Sequence, residues 1–128
     1  MSYTEKGIES LEVAKLCYEK KYYNSCVNRY YYSFYQELMH KLSKRQITIN
    51  EEHLSGGSHE KAFNQFISEV FRPIKRPNPR KVTDLRTKYG DFKNIRALAD
   101  YKPELLSKDK VDEAIKLYEE LKVQINII

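Results

Sequence analysis

Val27-Asn28-Arg29-Tyr30-Tyr31-Tyr32-Ser33-Phe34-Tyr35 packs four tyrosines and a phenylalanine around one arginine, with no glycine or proline among them. Extended outward, the pattern predicts a helix from about Tyr23 to Ser43. Its apolar positions Cys26, Val27, Tyr30, Tyr31, Phe34, Tyr35, Leu38 and Leu42 form one broad face. Tyr22 and Tyr32 fall outside that arc. A helix with aromatic surface on more than one side is usually central to a bundle or lies at an interface.

Four further helices flank this one. The first is expected from about Tyr3 to Lys20, opened by Ser2 and Glu5 in the spacing of a capping box. Ile8, Leu11, Ala14 and Tyr18 are its expected inner stripe, widened by Val13, Leu16 and Cys17. Lys44 to Gly57 is polar and ends in Ser55-Gly56-Gly57-Ser58, a loop closed by Ser58 as N-cap. A third helix then runs to about Phe71 with Ala62, Phe63, Phe66, Ile67, Val70 and Phe71 inward. Pro73, Pro77 and Pro79 predict a stiff non-helical connection over Arg72–Arg80. A fourth helix is expected to begin near Thr83 or Asp84 and to end at Pro103, with the stripe Leu85, Tyr89, Phe92, Arg96, Ala99. Ser107 and Asp109 open a fifth, with Val111, Ala114, Ile115, Tyr118, Leu121 and Ile125 inward. The expected fold is all-α, an antiparallel four- to five-helix bundle forming a single domain over residues 1–128.

A chain of 128 residues buries a core large enough to need no disulfide or metal. Cys17 and Cys26 are its only cysteines and read as free thiols on apolar helix faces. No further Cys or His stands at ligand spacing, so no metal and no cofactor is expected. No apolar run approaches the roughly 18 residues that cross a bilayer, and Met1–Lys6 has no signal-peptide core. A cytoplasmic protein that makes no membrane contact is the expectation.

The formal charge of +5 is concentrated. Residues 1–71 hold nine basic and nine acidic side chains, whereas 72–96 alone hold nine basic against two acidic. Arg72, Lys75, Arg76, Arg80 and Lys81 are the densest part of that run. A patch of this kind suits a polyanion such as RNA, because phosphate contacts supply most non-specific affinity. It equally suits a solvated loop that keeps the protein soluble.

Arg96 is the most informative single residue. Its place in the stripe 85, 89, 92, 96, 99 turns it inward, where a charge is seldom found unless it is paired or serves a site. Asp100, four residues on, is the natural ion-pair partner. The pair either organises the bundle or holds an arginine at a cleft for phosphate. Tyr101 lies at the end of the same helix, where it packs over the terminus or hydrogen-bonds a phosphate. Arg29 and Tyr32 lie roughly opposite the inner face of their helix and would line an interface if that side meets a second subunit. His40, His53 and His59 are scattered, and only His59, at the start of the third helix, is placed to act as a base.

Three of these features together make the chain similar to the HEPN domain family (higher eukaryotes and prokaryotes nucleotide-binding), of the small stand-alone prokaryotic kind. They are Arg29-Tyr30-Tyr31-Tyr32-Ser33-Phe34 in the second helix, Ser58-His59 opening the third, and Arg96-Ala97-Leu98-Ala99-Asp100-Tyr101 closing the fourth. The resemblance spans about Glu5 to Ile125. It implies a helical bundle that homodimerises and a toxin–antitoxin or defence module with a metal-independent ribonuclease site. In such a site an arginine holds the scissile phosphate and a histidine four to six residues later assists the attack. A small nucleotidyltransferase is the antitoxin implied as partner. Arg96 matches the arginine, which gives Arg96, Asp100 and Tyr101 as catalytic candidates. The histidine position holds Tyr101; with Tyr101 aligned instead to the family's modifiable tyrosine, the histidine and arginine positions fall on Ala99 and Asn94. The alternative expectation is therefore a non-catalytic HEPN module that docks a nucleotidyltransferase or another partner through its tyrosine-rich face.

Overall fold

The structure, a computed structural model, describes residues 2–49 and 57–126. They form an all-α bundle: α1 (Tyr3–Glu19), α2 (Tyr23–Lys44), α3 (Ser58–Phe66), α4 (Arg72–Lys75), α5 (Pro79–Tyr101) and α6 (Lys108–Asn126). A π-helical turn, Ile67–Phe71, joins α3 to α4 without a break. His53, Ser55 and Gly56 lie outside the described residues. No helix among the described residues is long and apolar enough to cross a membrane.

α2 is the central element and packs against α1, α3, α5 and α6. Its buried residues Val27, Tyr30, Tyr31, Phe34, Leu38 and Leu42 meet Phe63 and Phe66 of α3, Tyr89 and Phe92 of α5, and Tyr118 and Leu121 of α6 in one core cluster. The aromatic contacts are directional. Phe63 stacks on Tyr89 at 4.0 Å between ring centroids, and Phe92 meets Tyr31 edge-on at 5.2 Å. Pairs of this kind add about 0.5–1.5 kcal/mol beyond the area they bury. The Tyr31 and Tyr89 hydroxyls hydrogen-bond each other at 2.8 Å inside the core. Each thus satisfies a polar group that would otherwise cost about 1–3 kcal/mol to bury.

α1 lies on α2 through small residues. Gly7, Ser10 and Ala14 are its buried positions, and the Ser33 hydroxyl of α2 donates to the Gly7 carbonyl at 2.8 Å. The expected inner stripe holds at Ala14, which is fully buried, and is corrected at its other positions. Leu11 and Tyr18 are half-buried, while Ile8, Val13 and Leu16 are exposed. Close approach of two helices selects small side chains at the contact, and the face so buried is rotated away from the bulkiest residues.

Between α3 and α5 the proline reading is also corrected. Arg72–Lys75 is helical, and only residues 76–78 separate it from α5. Pro73 has no N–H and would crowd the carbonyl four residues back in a regular helix. The wider π turn before it, with the Arg72 N–H donating to the Ile67 carbonyl, opens that space. Pro79 occupies the first position of α5, where a missing N–H costs nothing, and Asn78 caps the helix by accepting from the Lys81 N–H at 2.9 Å. α5 thus starts four residues before Thr83. Ser58 is already helical, and Gly57 is the N-cap of α3. At α6 the Lys110 N–H donates to the Ser107 hydroxyl at 3.2 Å, as expected of a cap.

The α1–α2 connection reverses the chain in three residues. The Tyr22 N–H donates to the Cys17 carbonyl at 2.8 Å, and the Lys21 N–H donates to the Tyr18 carbonyl at 3.0 Å. This is a Schellman motif with Lys21 left-handed at φ 63°. Glycine adopts that conformation without the Cβ clash. Lys21→Gly is expected to stabilise the protein by about 1 kcal/mol, read as a higher urea midpoint with unchanged slope. An unchanged or lower midpoint would show that Lys21 is not strained.

Candidate functional site

The C-terminal turns of α5, the N-terminal half of α2 and the first turn of α3 converge on one cluster. Its centre is Arg96, whose side chain is 26% exposed at the margin of the core. Ile95, absent from the expected stripe, is the fully inward neighbour. The reason is drift along a long helix: a face set by Leu85, Tyr89 and Phe92 passes between 95 and 96 one turn later.

Arg96 Nε lies 2.8 Å from Asp100 Oδ2, an ion pair in which the N–H is not aligned for a hydrogen bond. Asp100 also accepts from Asn28 Nδ2 of α2 at 3.2 and 3.3 Å. The guanidinium carbon is 5.1 Å from the ring centroid of Tyr31 and 5.9 Å from that of Tyr101. One carboxylate and two aromatic faces therefore fix the guanidinium. Its terminal nitrogens make no hydrogen bond among the described residues and remain as a planar pair of donors. Such a fork matches the two oxygens of a phosphate or carboxylate. Tyr101 itself is 72% exposed.

Tyr31 also carries His59. The imidazole stacks on Tyr31 at 4.9 Å and on Tyr35 at 4.2 Å, nearly parallel to both. Its Nδ1 is buried without a hydrogen-bond partner among the described residues. Burial, followed by the positive charge of Arg96, lowers its pKa to about 4. The ring is therefore neutral at pH 7 and a weak base, and α3 holds it in the same cluster as Arg96. Glu60, next to it, pairs with Lys93 of α5 at 2.8 Å.

Arg29 is exposed one helical position from Asn28, and its guanidinium stands 5.6 Å from the ring centroid of half-buried Tyr32. Arg29 and Asp100 line one shallow polar pocket with Asn24, Ser25, Asn28 and Ala99. Asn24 shapes its floor, donating to the Ala99 carbonyl and accepting from the Leu106 N–H, both at 2.9 Å. Asn28 was not among the sequence-derived candidates. Its position, three residues before Tyr31 on one helical face, was the available signal.

Arg72, Lys75, Arg76, Arg80 and Lys81 do not join this cluster. All five are exposed around α4 and the first turn of α5, and none makes an ion pair among the described residues. From Arg80 to Arg96 is about 24 Å along the helix axis. Arg80 and Lys81 also stand at a helix N-terminus, where the backbone dipole disfavours cations and favours anions. Farther along α5 the positive charge is compensated: Lys88 pairs with Asp84 and Glu120, and Lys93 with Glu60.

No family model matches this chain, and no curated protein or solved structure matches it either.

The stacked histidine has a pH consequence. Its pKa is about 4 in the folded protein against an ordinary 6.5. Its contribution to stability is fully present above about 6.5 and is lost as the pH falls from there toward 4. His59→Gln is expected to flatten the fall in urea midpoint across that window. Superimposable pH profiles for the two proteins would show that His59 titrates normally.

Proposed function

We propose that this chain is a HEPN-type protein of a toxin–antitoxin or defence module that binds RNA, with Arg96 as the phosphate-binding residue. The single observation that carries this reading is the restrained guanidinium of Arg96. Asp100 occupies the Nε side, the rings of Tyr31 and Tyr101 lie 5.1 and 5.9 Å from the guanidinium carbon, and the two terminal nitrogens are left to face an oxyanion. Restraint of this kind lowers the entropy lost on binding and gives bidentate geometry. Asp100 and Asn28 act as positioning residues. Tyr101, exposed beside the guanidinium, can donate its hydroxyl to a phosphate or stack on a base.

The basic corner of Arg72, Lys75, Arg76, Arg80 and Lys81 serves as a second, sequence-independent phosphate contact. A strand reaching both would be several nucleotides long, given the separation of about 24 Å. Cleavage in this reading is metal-independent and relies on Arg96 and Tyr101. His59 is a poor general base, because its Nδ1 is buried and its pKa is far below neutral. The geometry therefore favours binding over catalysis. Arg29 and Tyr32, beside the pocket, are the surface through which two copies would bring their Arg96 clusters together.

A second reading, docking of a nucleotidyltransferase or another partner, draws on a different observation. Exposed Tyr22 and Leu105 line a groove of about 510 Å³ where the α1–α2 and α5–α6 links meet. Exposed apolar side chains on the wall of a groove are a feature of partner sites.

Fluorescence anisotropy with a labelled single-stranded RNA, in EDTA, separates these readings. Arg96→Ala is expected to weaken binding by about tenfold or more. Replacing Lys75, Arg76 and Arg80 together with alanine is expected to lower the slope of log affinity against log salt by about 2. Electrophoresis of the same samples reports cleavage, and its loss in both Arg96→Ala and Tyr101→Phe would assign these residues to it. RNA that neither binds nor is cut would sink the RNA reading and favour the docking one.

A further inference from the structure

Gly90 stands in the middle of α5, where glycine is among the poorest residues for helix stability. Nothing within the fold requires it. Its backbone is helical, and a Cβ at this position would meet no atom within 4 Å outside its own helix turns and chain neighbours. Gly7 is the contrasting case, since a Cβ there would already touch Gln36 and Ser33 of α2 at 3.5 and 3.6 Å. Gly7 is thus a packing glycine, and Gly90 is not. A glycine free of internal constraint suits a place where a ligand comes close to the backbone.

The space over Gly90 is a groove of about 210 Å³ between α3 and α5. Arg86 and Lys93, one turn to either side of Gly90, line it together with Asn64 of α3 and Asn94. The one carboxylate among the lining residues, Glu60, is held by Lys93 at 2.8 Å. Arg86 donates to a neutral partner, the Asn64 side-chain carbonyl at 2.8 Å, and makes no ion pair among the described residues. Two cations against one carboxylate leave the groove with a net charge of +1 from these three groups. The Asn64 and Asn94 amides add neutral N–H donors. A donor-rich, positive groove calls for an anionic ligand rich in oxygen.

Its position selects among anions. The Glu60–Lys93 and Asn64–Arg86 contacts fall in antiparallel order, so the groove leads from the Arg96 end of α5 toward α4. Along the axis of α5, Gly90 lies about 9 Å from Arg96 and about 15 Å from Arg80. A single free anion could meet Arg86 alone and would have no use for bare backbone. A sugar–phosphate chain running between the Arg96 cluster and the basic corner crosses the groove lengthwise. It meets the donors with its oxygens and comes against α5 where a side chain would stand in its way. We infer that the α3–α5 groove over Gly90 is the track of a single RNA strand, with Arg86 bonding a phosphate and the Asn64 amide donating to a phosphate or ribose oxygen. These contacts are to the strand's backbone, so the track carries no sequence preference. This path extends the RNA reading of Arg96 and rests on it.

Fluorescence anisotropy with labelled single-stranded RNA, run beside urea unfolding, tests the track. Gly90→Ala is expected to raise the urea midpoint, since alanine adds helix propensity without a clash. Gly90→Leu is expected to keep the helical circular dichroism and a midpoint no lower than wild type. Its side chain stands where the strand runs, and RNA binding is expected to weaken by about tenfold. Arg86→Gln is expected to lower the slope of log affinity against log salt by about 0.7, the loss of one phosphate contact on a single strand. A merely structural glycine would move affinity and midpoint together. Wild-type protein that binds no RNA overturns both this track and the RNA reading. Full affinity in folded Gly90→Leu, a lowered midpoint in Gly90→Ala, or an unchanged salt slope in Arg86→Gln overturns the track alone. The slope is measured on a variant that keeps Gly90, so it decides the matter even if Gly90→Leu fails to fold.

Discussion

Tyr31 is the residue on which core and site both depend. Its hydroxyl is committed to Tyr89 at 2.8 Å, and its ring meets Phe92 edge-on. Those contacts fix the ring to α5 from inside the bundle. The outer part of the same ring then supports the imidazole of His59 and the guanidinium of Arg96. A flexible side chain at this position would leave the arginine without a platform. Burial raises the pKa of the Tyr31 hydroxyl, so it remains a neutral partner of Tyr89 rather than a phenolate.

From this anchor the arrangement of the three helices follows. α2 supplies Asn28, Tyr31 and Tyr35 at steps of three and four, one face of one helix. α5 supplies Arg96 and Asp100 in the same register. α3 contributes only its first turn, which its inward phenylalanines hold against α2 and α5. The cluster therefore rests on regular helices, whose packed side chains define position better than a loop would. The weaker connections lie elsewhere, at the left-handed Lys21, Gln46 and Arg76 and at the π turn before Pro73.

Charge is distributed by the same logic. Along α5 the cations nearest the core are paired with carboxylates, Lys88 with Asp84 and Glu120, Lys93 with Glu60, Arg96 with Asp100. The end of the bundle at α4, by contrast, carries a group of cations without ion pairs among the described residues. The local excess that the composition placed over 72–96 is thus, in space, a corner about 24 Å from Arg96. A linear count of charge cannot separate a compensated helix face from an uncompensated one.

Helix existence, the central place of α2 and the inward faces of α3 and α6 were legible in the sequence. Apolar periodicity is a local property of the chain, and long periodic segments declare it. The pairing of Arg96 with Asp100 was legible for the same reason, since four residues make one helical turn. The helical start at Pro79 was available in principle, because Asn78-Pro79 is an N-cap followed by a proline at the first position. Taken singly, each of the three prolines has the character of a helix breaker, which masks that start. On α1 the inward face was legible only at Ala14; Gly7 and Ser10 are buried because α2 approaches closely there, which the bulk of α1's own side chains does not indicate. The same contact left Ile8 exposed. Asn28 on Asp100, His59 on Tyr31 and Tyr35, and the separation of the basic corner from Arg96 join residues far apart in the chain. Only tertiary packing decides such meetings, because contact between distant segments depends on relative helix position, which periodicity within each helix does not specify.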